Sequence, residues 1–288
     1  MKQLDLNTQI LIVGLGLIGG SYAKALTEKG YTVRAITKEQ KDIDYALKNG
    51  FLTEGTVDDI ENYIKKSDLI ILCLYPHTLI DWVETYGEFI NPGSVVTDVT
   101  GVKEHIITEV QKTLPKDVEF IAAHPMAGRE RSGVEHSDNS VFKGANYIIV
   151  PTSANSTHSK KICEELGKEL GFHNISYLDA EKHDEMIAFL SQLTHCIAVA
   201  LMCTGETDGF EKYTGDSFRD LTRIAKINDD MWSELFLCNK KALLDKMNDF
   251  SSQFDAFKSA LENDDRDKMR EMMKKSTLRR EKFDKPKV

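Results

Sequence analysis

Four stretches of this chain hold residue types whose spacing could do chemistry. The first is ILIVGLGLIGGS, from Ile10 to Ser21, an apolar strand-like run followed by glycines at 14, 16 and 19 that open into the helix-forming segment SYAKALTEKG. Backbone amides at a helix N-terminus can hold a pyrophosphate only where the chain comes very close to it. In that reading Gly14 permits the tight turn, and Gly16 removes the side chain that would block the phosphate. Gly19 lets helix and strand pack closely, with Leu17 and Ile18 between them at the cofactor. A lone GxGxxG is weak, and its place between strand and helix gives it weight. The ligand so implied is a dinucleotide. NAD would call for an acid at the end of the second strand, about 20 residues past the glycines. YTVRAITKEQ places Thr37 there, followed by Lys38, with Arg34 earlier in the strand. A hydroxyl and cations suit a 2′-phosphate, so both NAD and NADP stay open.

The second stretch, FIAAHPMAGRERSGVEHSD, sets His124 at the C-terminal end of a strand, where ligands bind in open α/β sheets. The loop behind it, with Gly128, Arg129, Glu130, Arg131 and Gly133, is charged and flexible, which favours function over a plain turn. The third, FRDLTRIAKINDDMW, puts Arg219, Asp220, Arg223 and Lys226 at helical spacing. It reads either as a salt-bridged surface or, through Leu221, Ile224, Ala225 and Trp232, as a partly buried segment whose arginines need a partner or ligand. The fourth is His195, alone in the most apolar helix, SQLTHCIAVAL; such a histidine is more often a satisfied core residue.

These residues need a frame. Strands are expected at 9–13, 32–36, 69–74, 95–98 and 119–123, with helices near 21–29, 40–49, 79–89 and 103–114. Two more strands, 146–151 and 174–178, flank a helix at 156–170. Apolar runs separated by helices imply an α/β fold, a Rossmann-type doubly wound parallel sheet with right-handed crossovers. After Asp179 no strand pattern is left. The division expected is therefore a dinucleotide-binding domain over 1–179 and an all-helical substrate and dimerisation domain over 180–288. The stretch from His183 to Gly205 is too apolar for a surface helix, and is expected as a central helix or dimer interface.

Composition narrows the partners. The chain has 288 residues, 41% of them hydrophobic, which is ample for a core. Its formal charge of −9 argues against nucleic acid and acidic membranes, so an anionic substrate needs a local cluster of cations. No stretch is read as reaching the roughly 20 apolar residues of a membrane span, and the N-terminus lacks a signal-peptide segment. The five cysteines are scattered with no CxxC pair, which reads as reduced thiols in a cytoplasmic protein without a metal site.

In this order, the GLGLIGGS start, AAHPMAGRERSGVEHS, SQLTH and DLTRIAKINDDMW resemble the prephenate dehydrogenase family over nearly the whole chain. The last three motifs are far more specific than the glycines. The resemblance implies oxidative decarboxylation of prephenate to 4-hydroxyphenylpyruvate in tyrosine biosynthesis, with hydride passing to NAD or NADP, by a homodimer. It implies His124 as the catalytic base and Arg223 and His195 as substrate contacts. Glu130, Asp220 and Trp232 are placed around the pocket. It also implies a serine where DVTGVK has Gly101, which makes Thr100 the candidate source of that hydroxyl. Neither a fused chorismate mutase nor a regulatory ACT domain is expected. The rivals are an arogenate dehydrogenase, another two-domain dehydrogenase of the β-hydroxyacid or imine-reducing type, and a non-catalytic nucleotide-sensing module.

Overall fold

The computed structural model describes residues 3–129 and 131–284. Its contacts divide the chain into compact units at 1–240 and 241–288. The first carries the sheet: β1 (Gln9–Val13), α1 (Leu17–Thr27), β2 (Thr32–Ile36), α2 (Gln40–Lys48), β3 (Glu54–Thr56), α3 (Ile60–Lys65), β4 (Leu69–Leu72) and α4 (Pro76–Tyr86). These are followed by β5 (Val95–Asp98), α5 (Glu104–Thr113), β6 (Glu119–Pro125), β7 (Asn146–Val150), α6 (Thr157–Leu170) and β8 (Asn174–Tyr177). The strand order is β3-β2-β1-β4-β5-β6-β7-β8.

Both faces of the sheet are covered, which is why its strands read as continuous apolar runs. Ile10 and Ile12 pack with side chains of α1, α2 and α6, while Leu11 and Val13 pack with those of α3, α4 and α5. The order in which strands are added reverses at β1, with β2 on one side and β4 on the other, all three parallel. The crevice at this switch point, at the strands' carboxyl ends, is where such sheets bind ligands.

Two features depart from the expected frame. β3 and α3 were not anticipated, because a strand of three partly exposed residues has no readable period. β7 runs antiparallel to β6, whereas a wholly parallel sheet was expected. The described residues of 126–145 between them hold short 3-10 turns and no crossover helix, and the chain comes back beside the strand it left.

From α7 (Ala180–Ile187) onward the described residues contain helices and turns. A π-helical turn, Ala188–Gln192, links α7 to α8 (Leu193–Met202), followed by α9 (Asp216–Thr222) and α10 (Asp229–Cys238). Ala180–Met202 forms one run of 23 residues whose most apolar 18-residue window has mean hydropathy 1.5, long and apolar enough to cross a membrane by length and composition. This corrects the reading that no stretch reaches that length. It is also not a core helix of this chain, since only 28% of the apolar window is buried and Phe189 is 55% exposed. The second unit holds most of α11 (Lys240–Glu262) and all of α12 (Arg266–Arg280), with exposed Leu244, Phe250 and Phe254 along α11.

Candidate active site

The glycine turn is built as a phosphate cradle. Gly14 has φ +98°, and a Cβ there would lie 2.5 Å from the Cys73 carbonyl oxygen just past β4. A Cβ on Gly19 would lie 2.0 Å from the Gly14 oxygen, so helix and turn touch backbone to backbone. Gly16 differs: nothing lies within 4 Å of its would-be Cβ, and it caps α1 with no side chain across the helix end. The first-turn amides of α1 are therefore left for an external acceptor. Leu17 is buried and Ile18 packs against the core, so both would meet a cofactor through backbone. The arrangement fits a dinucleotide's pyrophosphate.

At the end of β2, Thr37 is half-buried, its amide donating to the Thr56 oxygen, and Lys38 is exposed. Arg34 is not available to a 2′-phosphate there. It points across the sheet and donates to Glu54 at 3.3 Å.

His124 is the penultimate residue of β6, paired with Ile148 of β7. Its Nδ1 is 2.9 Å from Nε2 of His183 on α7, whose Nδ1 is 2.7 Å from Asp184 Oδ1. The Asp184 carboxylate also accepts the backbone amides of Lys103 and Glu104, at 2.8 and 2.9 Å, where α5 begins. Behind this row lies a buried ion pair, Lys103 Nζ to Asp98 Oδ2 at 2.6 Å, both side chains at 0% exposure. Asp98 Oδ1 accepts the Ala123 amide at 3.1 Å, which ties the pair to the strand of His124. Burial, then the neighbouring His183 and the Lys103 charge, holds His124 well below the ordinary histidine range. Burial lowers His183 as well, opposed by its bond to Asp184. Lys103 is lowered by burial and supported by Asp98.

This network corrects the expectation for Thr100. Its hydroxyl bonds Asp98 and the Val102 oxygen and accepts from Lys103 Nζ at 3.2 Å, so it serves the buried pair and not a substrate. The neighbouring position is the one that faces the histidine: a Cβ on Gly101 would lie 3.9 Å from His124 Nε2 and 3.5 Å from Leu235 of α10. Glycine puts no side chain of its own between Leu235 and Nε2.

The helical half closes in through α10. Gln192 of the π turn donates to the Leu235 oxygen at 2.9 Å, and Asn239 Nδ2 donates to both Gln192 Oε1 and the Asp184 oxygen. One turn before Leu235, Trp232 stacks on His195, with ring centroids 3.7 Å apart. His195 Nδ1 donates to the Ser191 oxygen at 2.9 Å. A histidine and tryptophan that were separate candidates in the sequence are thus one stacked pair.

Arg223 is exposed, in a 3-10 turn (Arg223–Ala225) that packs against α8, the helix of His195. The expected continuous helix through Lys226 breaks at Thr222, and Leu221 is 52% exposed, so the segment is less buried within one chain than its apolar residues implied. Asp220 is also exposed on α9. Glu130 lies outside the described residues.

His183, Asp184, Asp98 and Lys103 were missed. The available signal was polar residues at apolar borders: HD just before MIAFL, and the lysine of TGVKEHII.

The profile of the prephenate dehydrogenase nucleotide-binding domain matches residues 22–176, and that of the prephenate dehydrogenase dimerization domain matches 179–275. Bacillus subtilis prephenate dehydrogenase is 28% identical over 263 residues, covering 89% of this chain and 71% of the relative. Zymomonas mobilis cyclohexadienyl dehydrogenase is 29% identical over 281 residues, covering 93% of both. The crystal structure of Aquifex aeolicus prephenate dehydrogenase in complex with hydroxyphenyl propionate and NAD+ superposes with a TM-score of 0.88 at 28% identity, over 96% of this chain and 98% of that one. With a nucleotide cradle at the switch point, a hydrogen-bonded histidine pair at the end of β6, and both domain profiles matched in order, the chain belongs to the prephenate dehydrogenase family.

Proposed function

We infer that the chain catalyses oxidative decarboxylation of prephenate to 4-hydroxyphenylpyruvate in the cytoplasm, as a step of tyrosine biosynthesis. The observation that carries this reading is His124: a ring at the sheet's carboxyl edge, held well below the ordinary histidine range, with no side chain at Gly101 beside its Nε2. Nε2 takes the proton of the substrate's ring hydroxyl. The nicotinamide, when bound, supplies the hydride acceptor for the same carbon. Loss of the ring carboxylate as carbon dioxide then aromatises the ring, so the electron pair of the broken C–C bond ends in the phenol. A neutral imidazole is the form that can accept the proton. Arg223 provides a planar cation for a substrate carboxylate, and the Trp232–His195 stack forms a flat wall for the substrate. The family resemblance assigns Asp220 and Glu130 to the pocket entrance. The boundary at 179/180 divides the cofactor half from the substrate half.

The cofactor is NAD or NADP. Thr37 puts no carboxylate at the end of β2, so nothing there opposes a 2′-phosphate. Thr37→Asp should raise the ratio of KM for NADP to KM for NAD by about 10-fold or more, as a carboxylate repels the 2′-phosphate and accepts the NAD ribose hydroxyl. An unchanged ratio removes Thr37 from the nucleotide site.

The deciding assay measures reduced nicotinamide formed from prephenate and from arogenate, each with NAD and with NADP. Turnover greatest with prephenate is the expected result; turnover confined to arogenate replaces the substrate, and none with either overturns the reading.

A further inference from the structure

We propose that His183 and Asp184 act as a positioning relay that fixes the tautomer of His124, placing its proton on Nδ1 and leaving Nε2 bare to act as the base. The proposal rests on the reading of His124 as the proton acceptor.

The argument starts at the far end of the row. The Asp184 carboxylate accepts two backbone amides at the start of α5, which fixes it in place as an anionic acceptor. An ionised carboxylate cannot donate, so the contact to His183 requires the proton to sit on His183 Nδ1. A neutral His183 then presents a lone pair at Nε2. The next contact, His183 Nε2 to His124 Nδ1 at 2.9 Å, therefore needs the proton on His124 Nδ1. His124 Nε2 is left without a proton, on the side that faces Gly101.

The competing arrangement would protonate His183 on both nitrogens, turning His124 Nδ1 into an acceptor and moving its proton to Nε2, where it blocks catalysis. The charged groups facing His183 are Asp184 on its own helix, and Lys103 and Asp98 from β5 and the turn after it. Burial and the Lys103 cation oppose a second positive charge here, while Asp184 favours it; the net direction keeps His183 neutral. When His124 takes a proton from substrate, its Nδ1–H remains bonded to His183, and the carboxylate at the end of the row faces the new charge.

The relay was invisible in the sequence because its two histidines are 59 positions apart. Only the packing of α7 against the end of β6 brings them together.

The test uses the whole protein with nitrogen-15-labelled histidine. NMR of the wild type near neutral pH should show His124 protonated on Nδ1 and bare on Nε2, the reverse of the form histidine prefers in water. His183→Leu, which removes the acceptor, should shift His124 toward the Nε2-protonated form. It should lower kcat by about 100-fold, the lower end of what a well-placed general base contributes, with KM for substrate and cofactor within about 3-fold. His183→Gln, whose amide oxygen can still accept from Nδ1, should regain about 10-fold of that loss. An Nε2-protonated His124 in the wild type overturns the proposal, as does a His183→Leu protein with unchanged kcat and tautomer. If the leucine variant does not fold, the wild-type tautomer and the glutamine variant decide. Full turnover in His124→Asn would remove the reading beneath the relay; lost turnover there with unaffected His183 variants would remove the relay alone.

Discussion

Lys103 is the fully buried cation of the site. Burial of Lys103 at 0% exposure disfavours its charge, and Asp98 at 2.6 Å and the Thr100 hydroxyl at 3.2 Å oppose that penalty. Breaking a buried pair by removing one partner costs about 3–5 kcal/mol, because the other charge is left without compensation. Lys103→Met should therefore destabilise the protein by that amount in denaturant unfolding, and the double variant with Asp98→Asn should recover part of it. A loss below about 1 kcal/mol would mean the pair behaves like an exposed one. At this scale the sequence was legible where chemistry is local. His124 was readable because it ends a strand, and Gly101 because a side chain is missing from a motif. Thr100 was misread, since adjacency cannot tell which way a hydroxyl turns. Its nearest acceptor was Asp98, two residues back.

The glycine turn makes its own claim at the scale of elements. Gly16 and Gly19 look alike in a motif but differ in structure. Gly19→Ala would drive a methyl into the Gly14 backbone, separating α1 from the turn, and should cost about 1–3 kcal/mol of stability. Gly16→Ala meets open space, and should leave stability within about 0.5 kcal/mol while weakening dinucleotide binding about 10-fold or more. Denaturant unfolding and cofactor titration on the two variants separate the roles; equal effects on both quantities would contradict them. Strands β1, β2 and β5 were readable to the residue, whereas β4, equally buried, ends at Leu72 and not at residue 74 as expected, because its apolar run continues past the last paired residue. The π turn at Ala188–Gln192 was not, since its composition is that of an ordinary apolar helix and only the backbone records the wider turn. The break at Thr222 was hidden likewise: arginines at helical spacing do not say where hydrogen bonding stops.

For the whole molecule, the unresolved weight lies on exposed apolar helix. Phe189, Leu190, Leu201 and Met202 lie open along α7 to α8, and Leu244, Phe250 and Phe254 along α11. Soluble chains rarely leave so much uncovered. Both segments fall within the 179–275 match to a dimerization domain, which favours a second copy as the cover over lipid. Light scattering at micromolar concentration without detergent should give twice the 32.5 kDa chain mass; a monomer, or a protein soluble only in detergent, would contradict this. The compact unit ending at Lys240 shows why sequence texture and contact boundaries differ here. α7 to α10 are all-helical like the end of the chain, yet they group by contacts with the sheet whose histidine they complete.

The central claim is that His124 Nε2 receives the substrate's hydroxyl proton. It is tested most directly by following reduced nicotinamide formed from prephenate by the wild type and by His124→Asn, each saturated with cofactor. The expected result is steady turnover by the wild type and a loss of about 100-fold or more in the variant, with cofactor affinity unchanged. Turnover by His124→Asn within a few-fold of wild type would contradict it.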